Sequence, residues 1–170
     1  MSLREKDLAP SEQVALAKRF RDIAGRYGAS LLLHGDPALA HEAGLAGVHL
    51  SAGFDASAAR ALLGADALIG MSVHGVAEVE SLNPGVVNYA IAGPFAETMS
   101  KPGYGPALGE KNLAALVSAS PVPLLAIGGV TSANLAEARA AGAAGAAVMG
   151  EVMRAADPAA VVAALIRKLA

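Results

Sequence analysis

Val86-Val87-Asn88-Tyr89-Ala90-Ile91-Ala92 runs directly into Gly93-Pro94-Phe95-Ala96-Glu97-Thr98-Met99-Ser100-Lys101-Pro102-Gly103. The first seven residues are mostly apolar and β-prone, so they read as a buried strand. The glycines and prolines that follow break it, and a helical segment begins near Glu110. The stretch is therefore a long loop at the C-terminal end of a strand, where α/β proteins place their sites. Thr98, Ser100 and Lys101 give that loop two hydroxyls and a cation between glycines and prolines. This combination suits an oxyanion such as phosphate.

The same strand-loop-helix unit recurs on both sides. Before it lie strands at Ala29–Leu33, Gly47–Leu50 and Ala67–Ser72, with helices at Ser11–Tyr27, Pro37–Ala43, Asp55–Leu63 and Val76–Leu82. After it come strands at Pro123–Ile127 and Ala144–Met149, and helices at Glu110–Ser118, Thr131–Ala141 and Asp157–Ala170. Ser11, Asp55, Thr131 or Ser132, and Asp157 are the expected helix caps, and Pro158 suits a first helical position. Counting a stub at Leu3 gives about seven strands, and their alternation with helices predicts a parallel sheet. A doubly wound fold would carry a glycine-rich loop after its first strand and an acid ~20 residues later. Neither is present. Polar residues instead follow nearly every strand, as in a (β/α)₈ barrel of the TIM type. One strand is wanting, and a ring cannot close one strand short without distortion. The expectation is a single domain over residues 1–170, built as a barrel that lacks its first βα unit.

Composition narrows the function. The 170 residues are 54% hydrophobic and 16% charged, with a net charge of −2. That balance gives no electrostatic support for binding nucleic acid or an anionic membrane. The absence of cysteine excludes thiol catalysis and Cys-ligated metals. No signal peptide pattern opens the chain, so a cytoplasmic location is expected.

The strand ends collect Arg4, Lys6, His34, Ser51, Ser72, His74, Thr98, Ser100, Lys101, Gly129 and Gly150. In a barrel these share one mouth. Backbone N–H groups at Gly129 and Gly150 suit a phosphate, and Thr98, Ser100 and Lys101 strengthen that reading. His74 is the best proton carrier by residue type. His34 has a competing explanation as part of a turn with Gly35 and Asp36. His49, inside a strand, reads as a satisfied core residue, and His41 as a solvated helix residue. Asp36 and Asp55 have capping explanations, so no hard-oxygen metal cluster is visible.

These segments resemble the thiamin phosphate synthase family, including its thiazole tautomerase (TenI-like) branch. The carriers are residues 3–7 (Leu-Arg-Glu-Lys-Asp), 47–50 (Gly-Val-His-Leu), 70–74 (Gly-Met-Ser-Val-His), the loop 93–103, 126–130 (Ala-Ile-Gly-Gly-Val) and 147–150 (Ala-Val-Met-Gly). The resemblance implies a (β/α)₈ barrel that begins one βα unit earlier than this chain. It implies that Arg4 and Lys6 face a diphosphate, with Lys101 near the leaving group; His34 joins the binding set on its strand-end position alone. It further implies that Thr98 and Ser100 belong to the substrate-binding loop at the mouth, and that Gly129 and Gly150 form the cup for a thiazole phosphate. Ser72 matches a strand-end serine of the synthases, and His74 a proton-carrying histidine of the tautomerases. Synthases carry Asn-Asp where this chain has His34-Gly35, and an Asp where it has Phe54; both of those aspartates bind Mg²⁺. A Gln of the synthases corresponds to Ser2.

The expectation is a metal- and cofactor-independent thiazole tautomerase-like isomerase, with His74, Ser72 and Lys101 at the chemistry. The alternatives are thiamin phosphate synthase, a transferase for which Mg²⁺ would be required, and a non-catalytic phosphate-ligand binder. In each case the partner is a small thiazole phosphate or related ligand, with neither nucleic acid nor membrane involved. The missing βα unit would expose a strand edge, so a homo-oligomer is expected.

Overall fold

The structure, a computed structural model, describes residues 1–100, 103 and 105–169. Its contacts divide the chain into two compact units: Met1–Ser72 with Asn83–Asn88, and Val73–Leu82 with the chain from Tyr89 onward.

The first unit is built on parallel strands β1 (Ser2–Leu3), β2 (Leu32–His34), β3 (Gly47–Leu50) and β4 (Leu68–Val73). The register pairs Leu3 with Leu33, His34 with His49, and Leu50 with Met71. Helices α1 (Pro10–Gly25), α2 (Pro37–Glu42) and α3 (Ala56–Leu63) alternate with the strands. Val48 and Ile69 are fully buried, and Leu33 and Leu50 nearly so. All four strand residues of β3 are buried, as expected of a parallel strand covered on both faces. Each large apolar side chain removed from water in this way contributes roughly 1.5–3 kcal/mol.

Short polar contacts set the element ends. Asp36 caps α2 through Ala38 N–H, and Asp55 caps α3 through the N–H groups of Ser57 and Ala58. Asp55→Ala removes the side-chain acceptor of that pair and should cost about 1 kcal/mol, read as a lower denaturation midpoint. An unchanged midpoint would show that water replaces the cap at no cost. Arg60 donates to the carbonyls of Gly64, Ala65, Ala67 and Val86 and to Asn88 Oδ1, at 2.6–2.9 Å. Asn88 in turn accepts from Ile69 N–H at 2.8 Å, which ties the 83–88 segment to β4.

The second unit carries β5 (Tyr89–Ala92), β6 (Leu124–Ile127) and β7 (Gly145–Ala147), also parallel. Its helices are α4 (Val76–Glu80), α5 (Gly109–Ala119), α6 (Leu135–Ala140), α7 (Gly150–Met153) and α8 (Pro158–Leu169). Leu113, Leu135 and Val79 are completely buried in it. The loop after β5 begins as an ordered extension. Phe95 and Ala96 N–H donate to the carbonyls of Ile127 and Gly128, and the Phe95 ring is buried.

The parallel α/β alternation agrees with expectation, but several boundaries move. Helix α1 starts at Pro10 rather than Ser11. Its cap is Ala9, whose N–H donates to the Glu12 carboxylate at 2.9 Å, so the acid three residues on replaces a side-chain cap. Residues 86–88 lie outside the strand, because Asn88 uses its side-chain amide as well as its backbone on β4. Helix α6 begins at Leu135, since Asn134 turns back to accept from Thr131 N–H and Oγ1. The short α7 was not expected from the sequence. Among the described residues no helix is long and apolar enough to cross a membrane.

Candidate active site

In the first unit the strand ends place Lys6 in a cavity of about 390 Å³, lined also by Gln13, Gly35, Asp36, Leu39, Ser51 and Phe54. Arg4 is exposed just after β1. His34 ends β2, half-buried, and its ring centroid lies 4.9 Å from that of His49 in a T-shaped arrangement. Ser72 lies near the end of β4, and its Oγ is 2.9 Å from His49 Nε2. His49 is 2% exposed. Burial, and secondarily the neighbouring His34, push its pKa down from 6.5 to about 4. The structure thus agrees that His49 is a satisfied core histidine, and adds that its partner is a candidate site residue. The register that pairs Leu50 with Met71 brings the two together, a relation that strand patterning alone does not fix.

In the second unit His74 follows β4 directly. Its backbone N–H donates to Glu78 Oε2 at 2.7 Å, and its Nδ1 lies 3.2 Å from the same oxygen. A carboxylate at Nδ1 favours the tautomer protonated there. The i,i+4 spacing of His74 and Glu78 is visible in sequence once a helix is assigned at Val76. Both side chains are close to half exposed.

Thr98 and Ser100 are brought together: Thr98 Oγ1 accepts from Ser100 N–H at 3.2 Å. Lys101, which the sequence places beside them, lies outside the described residues. Gly129 has φ +65°, and a Cβ there would stand 2.5 Å from the carbonyl oxygens of both Ala96 and Glu97. Glycine is therefore required at 129 for chain packing, whatever ligand it also serves. At Gly150 a Cβ would meet the Arg154 guanidinium at 2.8 Å. That places a cation beside the expected phosphate cup which sequence reasoning missed. Ser132 donates through N–H and Oγ to the two Glu151 oxygens, each at 2.8 Å, and its carbonyl accepts from Lys168 Nζ.

The Mg²⁺ of the synthase reading can be tested against these donors. Asp36 and Asp55 each accept backbone N–H groups at a helix start. Phe54, not a carboxylate, faces the cavity beside Lys6. Among the described residues no group of three or more His, Asp or Glu could hold a metal ion. The residues present do not fit a protein-held Mg²⁺.

The sequence model for the thiamine monophosphate synthase family matches residues 1–152. The chain belongs to that family. A thiamine-phosphate synthase from Salinispora tropica is 38% identical over 165 residues, covering 96% of this chain and 79% of its own length. One from Herpetosiphon aurantiacus is 35% identical over 158 residues, covering 93% and 76%. Among solved structures, the thiamine phosphate pyrophosphorylase from Pyrococcus furiosus superposes with a TM-score of 0.87 at 24% identity, over 99% of this chain and 81% of that one. The fold is accordingly the α/β barrel type of the family. The names of these synthase relatives favour the transferase over the isomerase expected from the site residues.

Proposed function

We propose that this chain is a transferase of thiamine biosynthesis that joins a thiazole phosphate to a pyrimidine diphosphate. The observation that carries this reading is the match to synthase relatives over more than nine-tenths of the chain. In the reaction the bond from the pyrimidine methylene to diphosphate breaks, the methylene bonds to the thiazole nitrogen, and diphosphate leaves. The demand on the protein is charge. Arg4 and Lys6 are assigned to the diphosphate, with Lys101 as the third cation of that set. Thr98, Ser100, Gly129 and Gly150 are assigned to the thiazole phosphate, and Arg154 joins them as its counter-charge. Ser72 is assigned to the pyrimidine side. Asp36 and Asp55 are engaged as helix caps, so the charge of the diphosphate falls to these cations.

A second reading, the isomerase, is favoured by the His74–Glu78 pair. There a thiazole phosphate would exchange a proton with His74 Nε2 while Glu78 holds the ring. His74→Ala separates the two. In the transferase it should leave thiamine phosphate formation within a few-fold of wild type. In the isomerase it should abolish proton exchange on a carboxylated thiazole phosphate, a loss of ~10²-fold or more. Thiamine phosphate formation that disappears with His74 would contradict the roles assigned here.

A further inference from the structure

The row His34, His49, Ser72 crosses three adjacent strands of the first unit. Its centre is a buried imidazole bonded to a strand-end hydroxyl. We infer that His49 is a positioning residue: it holds the Ser72 hydroxyl in one rotamer and one polarity, so that Ser72 meets the polar edge of the substrate as a pre-set hydrogen-bonding group. The inference deepens the proposed function and rests on its assignment of Ser72 to the substrate.

A serine hydroxyl ordinarily rotates among staggered positions and can donate or accept. An imidazole fixed inside a strand removes that freedom, since each ring nitrogen has one role in a given tautomer. The ring itself is held by the β3 backbone and by the edge contact with His34. It remains neutral throughout the physiological range, its pKa pushed down to about 4 by burial. Its bond to Ser72 therefore does not change with pH there. The hydroxyl reaches the substrate with its orientation already settled, and the entropy of ordering it is spent on folding and not on binding.

The experiment has a ligand-free arm and a turnover arm. Ring ¹⁵N resonances of His49 in the intact chain should report a single neutral tautomer from about pH 6 to about pH 8, above its depressed pKa. The Nε2 resonance should move in Ser72→Ala. In the transferase assay, Ser72→Ala and His49→Leu should each lower kcat/KM by about tenfold, the double variant should be no worse than either, and His49→Gln should recover most of the loss. A merely structural His49 would give additive losses and no preference for Gln over Leu. Additive losses, or an Nε2 resonance indifferent to Ser72→Ala, overturn the inference. Full turnover in Ser72→Ala with a shifted resonance instead removes Ser72 from the reaction, and the assignment on which the inference rests falls with it.

Discussion

Gly47→Ala should destabilise the protein by at least about 3 kcal/mol, the largest effect expected of any single methyl group added to the first unit. Gly47 opens β3 between β2 and β4, pairing with Leu32 on one side and Leu68 on the other. A Cβ at this position would collide with the carbonyl oxygen of Leu68. That oxygen is main chain, so it cannot swing aside as a side chain would. Relief requires β3 and β4 to separate, and with them the register that aligns His49 with the end of β4. The loss should appear as a lower denaturant midpoint at constant m-value, with the Nε2 resonance of His49 shifted as well. A cost below about 1 kcal/mol would mean that the two strands can separate locally without disturbing the sheet.

The second large effect is acid sensitivity traced to one residue. The His49 pKa falls from an ordinary 6.5 to about 4, chiefly through burial and further through His34. Between those values the unfolded chain binds the proton and the folded chain does not. Stability therefore rises with pH across that window, is complete above about 6.5, and is lost as pH falls toward 4. For a shift of this size the loss is about 3 kcal/mol. Carboxylates also titrate in acid, so the measurement compares wild type with His49→Gln from pH 7 to 4. The wild type should show the steeper decline, and parallel curves would mean that His49 gains its proton without unfolding the site.

Hydrophobic periodicity and punctuation carried most of the fold. β3 and α3 lie where Gly-Val-His-Leu and the Asp55 cap predict them, because local chemistry decides both. The errors came where a distant partner decides. Residues 86–88 look like a strand, but Asn88 is recruited by β4. Ser11 looks like a cap, but Glu12 does that work from inside the helix. The candidate residues could be read from sequence as strand-end positions, but not as the pairs the structure forms. Glu78 could have been found from its spacing to His74, whereas the His49–Ser72 bond depends on strand register and Arg154 on the conformation of α7. Gly129 shows the opposite limit: its glycine is explained by two carbonyl oxygens before any phosphate is considered. The choice between transfer and isomerisation was not legible in the residues; the names of the relatives moved it.

The most direct test is incubation of the purified chain with pyrimidine diphosphate and thiazole phosphate, with and without added Mg²⁺, followed by measurement of thiamine phosphate and released diphosphate in equal amounts. The transferase reading predicts both products in a one-to-one ratio, and their loss when Arg4 and Lys6 are replaced together by Ala. Absence of thiamine phosphate under every condition, in a sample that still exchanges a proton on the carboxylated thiazole phosphate, would contradict it and assign the chain to isomerisation.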